Sequence, residues 1–399
     1  MITITTYNNK SHLYFRIFVC ISLFVFVLQN FLPNSTFYLG LFVPDVVGIS
    51  QTFDYMMNYG AEARYLLGLY ILYYPAWLIH PSLSLVINLV LMSYVFKFIE
   101  KIFTQTNTIA PPFIFLGLFV NPYLFLAVTG PNKEIPLLFA TLYIIQCLMF
   151  KPKHWLVKAV FVAVFSVFLR DGYGMILLLT IFFWDMIKLK ITSKWKLALI
   201  FTVVVSVSLG FLQNKFSFID RNVTLAGEIA EIQSETIFNL SQSENPLVLM
   251  FAHVLRMIYN WITLSVFPIF KVNGVVYVLG IAYWIFGIFA GISIFANIFY
   301  LIKKKTSDIN NLGIRLAGMV MFLWSAVSVS LFIHPRYLMP FLPIAFGVMM
   351  MHRKILLKNL VFIYLLCMFG VIAFYSISGN RPVVYHEIEW MAPSFLLFK

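Results

Sequence analysis

Residues 135–187 read IPLLFATLYIIQCLMFKPKHWLVKAVFVAVFSVFLRDGYGMILLLTIFFWDMI, a stretch of three apolar runs divided by two short polar turns. The runs cover approximately 135–150, 155–170 and 172–187, and each approaches the roughly 20 apolar residues that a helix needs to cross a bilayer. This pattern predicts three consecutive membrane-spanning helices joined by tight hairpin turns.

The rest of the chain repeats this pattern. Of its 399 residues, 61% are hydrophobic and only 11% are charged, whereas a soluble domain has about half apolar residues and about a quarter charged ones. A content of 43 Phe, 21 Tyr and 8 Trp also excludes a disordered chain. Further apolar runs lie at approximately 13–32, 82–100, 109–128, 197–213, 274–302, 312–333, 337–351 and 357–377. We therefore expect an all-α polytopic integral membrane protein with about 11 (10–12) transmembrane helices.

Two further apolar stretches, 65–79 and 246–270, are less regular and could lie along the membrane surface or re-enter it instead of crossing. Because no soluble domain interrupts the chain, we expect a single transmembrane domain over residues 1–399. Its outer loops would be 33–81 and 214–245, and an outer cleft would lie near the helix at 246–270.

Charge distribution predicts the orientation. The net charge is +13, but Lys and Arg occur in short clusters between apolar runs and not along one basic face, which argues against a nucleic-acid partner. A cytoplasmic N-terminus places most of these clusters inside, as the positive-inside rule requires. The three cysteines lie in unrelated apolar runs and support neither disulfides nor a metal site.

In this topology most lysines lie on the inner side of the membrane and most arginines on the outer side. Fifteen of the 19 lysines fall inside, whereas six of the nine arginines fall outside. Arginine presents a planar fork for bidentate contact with phosphate. The outer face is therefore predicted to recognise an anionic group on a lipid.

The stretch 246–270 carries the strongest candidate site. His253, Arg256 and Asn260 are spaced i, i+3 and i+7, so they share one stripe of an otherwise apolar helix. The stripe either faces lipid headgroups from an interfacial helix, or lines a cleft in which Arg256 holds a phosphate and His253 lies near the reacting atoms.

Two outer turns supply further candidates. In the sequence Thr129-Gly-Pro-Asn-Lys-Glu-Ile-Pro136, Lys133 could bind an anion and Glu134 could bind a sugar hydroxyl or accept a proton. A capped hairpin with an internal Lys133–Glu134 contact is the alternative. Arg170 occupies the next outer turn, where it either binds substrate or only stabilises the end of a helix.

The remaining candidates lie at the start of a late span and in the first outer loop. The sequence His334-Pro-Arg-Tyr-Leu-Met-Pro340 places His334 and Arg336 at the outer interface, where Arg336 either binds substrate or anchors the helix. Asp54 could act as a general base on a sugar hydroxyl. Arg64 lies ten residues later, and Arg64 and Glu62 could equally be only solvated. No metal site is expected, and the chain lacks nucleotide-binding glycine motifs and serine-hydrolase signatures.

These features together resemble the Wzy-type O-antigen polymerases: a Phe-, Ile- and Tyr-rich chain with many spans, the TGPNKE-like turn, an outer Arg after the following span and the HPRYLMP helix start. They also resemble, more loosely, the GT-C class of polyprenol-dependent glycosyltransferases. The first resemblance implies polymerisation of oligosaccharide repeat units carried on undecaprenyl diphosphate, at the outer face of a bacterial inner membrane.

In that reaction the diphosphate is the leaving group, so the resemblance implies no cofactor, nucleotide or metal. The cations would be Arg170, Arg256, Arg336 and Lys133, and the base would be His253, Glu134 or Asp54. The expected partners are the lipid-linked glycan, the lipid bilayer and a chain-length regulator.

Two other functions stay open at this point. A GT-C glycosyltransferase would add a single sugar from a polyprenyl-phosphate donor, with Asp54 or Asp45 as its base. A glycan-lipid transporter would also need outer arginines and a polar cavity, although it would be expected to show internal repeats and polar groups reachable from both sides.

Overall fold

The computed structural model describes the chain in segments. These segments are residues 8–31, 67–104, 111–186, 239–240, 243–263, 269–272, 275–276, 279–303, 312–328, 335–351 and 384–385. Predicted spans 197–213 and 357–377, and most of the loop 214–245, lie outside them. The chain divides into two compact units, Met1–Ile181 with Glu389–Lys399, and Phe182–Ile388. The prediction of a single transmembrane domain is not tested by this division.

The first unit is built from consecutive helices. They are α1 (Asn8–Phe31), α2 (Leu67–Ile79), α3 (Leu83–Thr104), α4 (Pro111–Phe119), α5 (Pro122–Ala127), α6 (Glu134–Phe150), α7 (Trp155–Leu169) and α8 (Asp171–Met186), the last of which continues into the second unit. Helix α6 packs against α3 and α7, and α2 packs against the same two helices from elsewhere on their surfaces.

The second unit contains helices and a small sheet. Its elements are α9 (Pro246–Thr263), β1 (Ile269–Val272), β2 (Val275–Val276), α10 (Leu279–Lys303), α11 (Leu312–Val327), a 3-10 helix (Pro335–Leu338), α12 (Leu342–Met351) and β3 (Val384–Tyr385). Helices α10, α11 and α12 pack against one another. The side chain of Asn297 on α10 joins two of them, since its Nδ2 donates to the carbonyl oxygen of Ala345 on α12 over 2.9 Å.

The predominantly helical architecture confirms the all-α part of the prediction, with two departures. The predicted span 109–128 is two helices, because Asn121 caps a new helix through the backbone N–H of Tyr123 and Pro122 occupies its first turn. Strands β2, β1 and β3 form a three-stranded sheet in that order, with β1 antiparallel to β2 and parallel to β3. An apolar run such as that of β1 does not by itself distinguish strand from helix.

Within the described segments, one helix, Leu83–Phe103, is both long and apolar enough to cross a membrane. Nine other helices in those segments contain shorter apolar stretches, of 10–17 described residues each. The predicted count of about eleven spans is therefore not established by these helices, and it stays a prediction.

Helix α7 displays an unusual distribution of side chains. Ala159 and Ala163 are completely buried, whereas Val157 is 68% exposed and Phe161 is 71% exposed. A helix in water does the opposite and turns its large apolar side chains inward. Small residues at i and i+4 instead let a neighbouring helix approach closely, which is the way helices pack when their surroundings are apolar.

Two glycines, one on α2 and one on α8, allow the backbones of these helices to approach the backbone of α7 closely. A β-carbon at Gly68 of α2 would lie 2.9 Å from the backbone oxygen of Phe168, and one at Gly174 of α8 would overlap the backbone nitrogen of Val167. Backbone atoms cannot move aside as a flexible side chain could. The ends of α2 and α8 are therefore closely fitted to the last turn of α7.

We predict that Gly174→Ala destabilises the protein by about 1–3 kcal/mol or more, because the added methyl group overlaps backbone. Thermal unfolding of the detergent-purified protein would show a lower Tm. Met175→Ala is the matched control, since Met175 is on the same helix and 43% exposed. Equal Tm values for the two variants would contradict the close fit.

Candidate functional site

The turn that contains Lys133 and Glu134 is organised by the side chain of Asn132, which is completely buried. Its Nδ2 donates to the carbonyl oxygens of Ala127 and Gly130, and its Oδ1 accepts from the backbone N–H of Ile135 over 2.9 Å. One amide therefore ties the end of α5 to the first turn of α6. The sequence indicated Gly130 and Pro131 as the turn residues but did not indicate Asn132.

A second buried amide reaches the same turn from α3. Asn88 Nδ2 donates to the carbonyl oxygens of Val128 (3.0 Å) and Gly130 (2.8 Å), and its Oδ1 accepts from the hydroxyl of Tyr73 over 2.6 Å. Asn88 and Tyr73 are both completely buried. Helices α2 and α3 thus hold the turn through a continuous set of hydrogen bonds, and since unpaired buried carbonyls are costly, this arrangement is strongly preferred.

Neither Asn88 nor Tyr73 was among the residues predicted from the sequence. The sequence feature that could have identified Asn88 is its position as an amide in the middle of the apolar run LSLVINLVLM at 83–92. Polar residues at such depth are expensive whether or not they are charged. A search for uncharged amides as well as charges would have found Asn88, while its partner on α2 could not be read from spacing.

Glu134 begins α6 and is 1% exposed, and Lys133 just before it is partly buried. The Tyr73 hydroxyl lies close enough to the Glu134 carboxyl for an electrostatic interaction. The first turn of a helix also carries a partial positive charge that favours a carboxylate. Glu134 is therefore buried within the unit, beside the turn that Asn88 and Asn132 hold.

Arg170 follows the last residue of α7 and is partly buried. Its backbone N–H donates to Ser166 (2.9 Å) and its carbonyl oxygen accepts from Gly174 (3.0 Å), so the turn into α8 is fixed on both sides. The side chain interacts electrostatically with Tyr173. The hydroxyl of Tyr173 lies 3.1 Å from that of Thr141 on α6.

Lys133, Glu134 and Arg170 lie at the same end of one helical hairpin. Helices α6 and α7 pack against each other and are joined by only the four residues 151–154, so they run antiparallel. They are also similar in length, with 17 and 15 residues. The start of α6 and the end of α7 are therefore level, and we call these three residues the hairpin-end cluster.

In the second unit, the predicted stripe on α9 is confirmed as one buried face. His253, Arg256 and Asn260 are 0%, 1% and 1% exposed, while Leu247 on the same helix is 70% exposed and Phe251 57% exposed. The polar face is thus turned toward protein, which does not fit the alternative in which it faces lipid headgroups. We call these three residues the α9 cluster.

Side chains of helix α9 contact two neighbouring helices. His253 Nε2 lies 3.3 Å from the hydroxyl of Ser325 on α11, and His253 Nδ1 has no hydrogen-bond partner among the described residues. Nearby, Trp261 Nε1 donates to the carbonyl oxygen of Gly291 on α10 over 3.0 Å, and its ring stacks on Phe295. The contact between His253 and Ser325 could not be predicted from residue spacing in the sequence.

The other predicted site residues are placed only in part. The backbone of Arg336 lies in the 3-10 helix Pro335–Leu338, while His334, Asp54 and Arg64 lie outside the described residues. Within the described segments, no group of three or more His, Cys, Asp or Glu residues could hold a metal ion.

No protein-family model, no curated protein and no solved structure matches this chain. A function for this chain can therefore be proposed only from its own residues and from the membrane glycan enzymes that its motifs resemble.

We predict that Asn88→Leu destabilises the protein by about 2–4 kcal/mol, since the Val128 carbonyl and the Tyr73 hydroxyl both lose a buried bond to this side chain. Ser93→Ala is the control on the same helix, because its hydroxyl bonds only to Val90 within α3. Chemical or thermal unfolding in detergent measures both. A loss for Asn88→Leu no larger than for the control would contradict the proposed role of the amide.

Proposed function

We propose that this protein is a multi-span membrane enzyme that polymerises undecaprenyl-diphosphate-linked oligosaccharide repeat units at the outer face of a bacterial inner membrane. Helices α7 and α9 expose large apolar side chains and bury small or polar ones, as the burial of Ala159 and Arg256 shows. This distribution supports a bilayer as the surroundings, because large exposed apolar side chains are stable against lipid and not against water. The strongly apolar composition and the positive-inside charge pattern support the same location and orientation.

The hairpin-end cluster is the single observation that carries the enzymatic proposal. Transfer of a glycan from a diphosphate needs cations to neutralise the leaving group and a base to take the acceptor proton. Arg170 and Lys133 are two cations, Glu134 is a carboxylate, and all three lie at one end of the same hairpin. Glu134 is buried and the two cations are partly buried, which would strengthen each electrostatic interaction relative to water.

In the proposed reaction, the oxygen of an acceptor hydroxyl forms a bond to the anomeric carbon of the donor glycan. The bond from that carbon to the diphosphate oxygen breaks at the same centre. Glu134 accepts the hydroxyl proton, and the negative charge leaves with undecaprenyl diphosphate, where Arg170 and Lys133 neutralise it. One carboxylate as the base and two cations for the leaving group are sufficient for this step, so the proposed reaction uses neither nucleotide nor metal.

The α9 cluster of the second unit, taken by itself, holds another set of groups suited to a phosphate and a sugar. Arg256 provides a bidentate fork for phosphate, and Asn260 can donate to and accept from sugar hydroxyls. His253 has one ring nitrogen at Ser325 and the other without a partner among the described residues. It is therefore a second candidate base. Arg336, His334, Arg64 and Asp54 remain predicted contributors.

We predict that a deletion strain carries lipid-linked surface glycan with a single repeat unit, because only chain extension is lost. Gel electrophoresis of the surface glycan reads the outcome directly. A full ladder that lacks one sugar would instead identify a GT-C glycosyltransferase, and the absence of any surface glycan would identify a transporter. Either result would overturn the polymerase proposal.

We predict that Glu134→Gln reduces long-chain glycan about 100-fold or more in the complemented deletion strain, since the base is lost. Arg170→Lys keeps the charge but loses the fork and should shorten the ladder. The matched controls are Glu244→Gln and Arg16→Lys, which change exposed side chains elsewhere. Wild-type ladders from Glu134→Gln, at equal protein level in the membrane, would exclude Glu134 as the base.

A further inference from the structure

A cluster of exposed lysines lies at the end of the α6–α7 hairpin opposite the hairpin-end cluster. Its members are Lys97 and Lys101 on α3, Lys151 and Lys153 in the hairpin turn, and Lys158 on α7. Glu100 is the acidic residue among them and is partly buried. We call this group the lysine surface, and the proposed chemistry does not use it.

Three of these lysines are positioned over aromatic rings. Lys97 Nζ lies 5.3 Å from the centre of the Tyr94 ring, Lys101 Nζ 4.5 Å from that of Phe150, and Lys151 Nζ 5.2 Å from that of Trp155. Such contacts restrict a flexible ammonium group to one region. The contact between Lys101 and Phe150 also shows that the ends of α3 and α6 are adjacent, so the lysines form one surface.

The hairpin turn adopts an unfavourable backbone conformation. Lys151 has φ 44° and His154 has φ 58°, in the left-handed region that residues other than glycine seldom occupy. This conformation costs roughly 1–2 kcal/mol per residue. Both residues lie at helix ends, since Lys151 follows α6 and His154 precedes α7, and together they close the turn that carries Lys151 and Lys153.

An exposed apolar stripe continues from the lysine surface along α3. Tyr94 is 46% exposed, Val90 51% and Val86 52%. With Lys97 they are spaced at intervals of three or four residues and so lie on one face. On α7, Val157 and Phe161 extend beside Lys158 in the same way.

We propose that the lysine surface binds the headgroup of an anionic phospholipid whose acyl chains lie along the apolar stripes of α3 and α7. The surface suits such a lipid in two ways. The ammonium groups can bind the phosphate of the headgroup, and the exposed aliphatic and aromatic side chains directly beneath can contact the acyl chains. A free phosphate or diphosphate would use only the first part. The site is independent of the glycan chemistry and would stabilise the fold at the opposite membrane face.

The test uses the purified full-length protein in a neutral detergent. Phosphatidylglycerol is titrated in, with phosphatidylcholine and inorganic pyrophosphate as the comparison ligands, and binding is followed by the Tm and by native mass spectrometry. We expect phosphatidylglycerol to raise the Tm and to form defined adducts at ratios where the other two do not. Equal effects of phosphatidylcholine, or of pyrophosphate, would overturn the proposal.

The deciding variant is Lys97→Gln/Lys101→Gln/Lys151→Gln, which should weaken phosphatidylglycerol binding about tenfold to hundredfold, since each lysine near an anionic lipid surface contributes appreciably. Lys215→Gln/Lys271→Gln/Lys303→Gln removes the same charge from residues of the second unit and should bind as wild type does. Equal affinity in the two triple variants would assign the binding to net charge alone and refute the site.

If the deciding variant is not recovered folded, salt dependence of the wild type decides instead. Binding of the headgroup to exposed lysines should weaken steeply as potassium chloride rises from about 0.05 to about 0.5 M, because the screening length shortens about threefold. Affinity that does not change with salt would overturn the proposal. Surface-glycan ladders are unaffected by either result, so this test is separate from that of the polymerase.

Discussion

Hydrogen bonds from buried amide side chains hold neighbouring helices in register, and the described structure depends on them. Asn88 and Asn132 join three helices to one turn, and Asn297 joins α10 to α12. Some large apolar side chains, such as Phe161, point outward and others, such as Phe96 and Trp324, are buried, but apolar contacts are non-directional and do not by themselves fix the register of two helices. Because a buried amide without partners is costly, each bond selects one arrangement among many that apolar packing alone would allow.

Much of the helical layout could be predicted from the sequence. The runs expected at 135–150, 155–170 and 172–187 correspond to α6, α7 and α8, because Lys151, Pro152 and Arg170 interrupt apolar segments sharply. Spacing also predicted the shared face of His253, Arg256 and Asn260. The break at Asn121 was missed since the apolar pattern continues across it, and the strands were missed because a short apolar run has no distinctive period.

The candidate sites were predictable to a smaller extent. Charges inside apolar surroundings are conspicuous, so Glu134, Arg170 and Arg256 stood out in the sequence. What surrounds them is a tertiary property: Tyr73 is 15 residues from Asn88 in the chain, and His253 is 72 from Ser325. No local pattern encodes such pairs. The chemistry assigned to these groups therefore rests on resemblance and on physical argument together.

The turn between α5 and α6 has one consequence for the way such a protein could diversify. The side chains of Asn88, Asn132 and Thr129 bond to backbone groups between Leu126 and Ile135 and so hold the loop from three points. These three side chains are uncharged, so their bonds do not depend on pH or salt. A change of the neighbouring charged pair would leave all of these bonds in place, which would let such a protein vary the charge it displays without building a new loop.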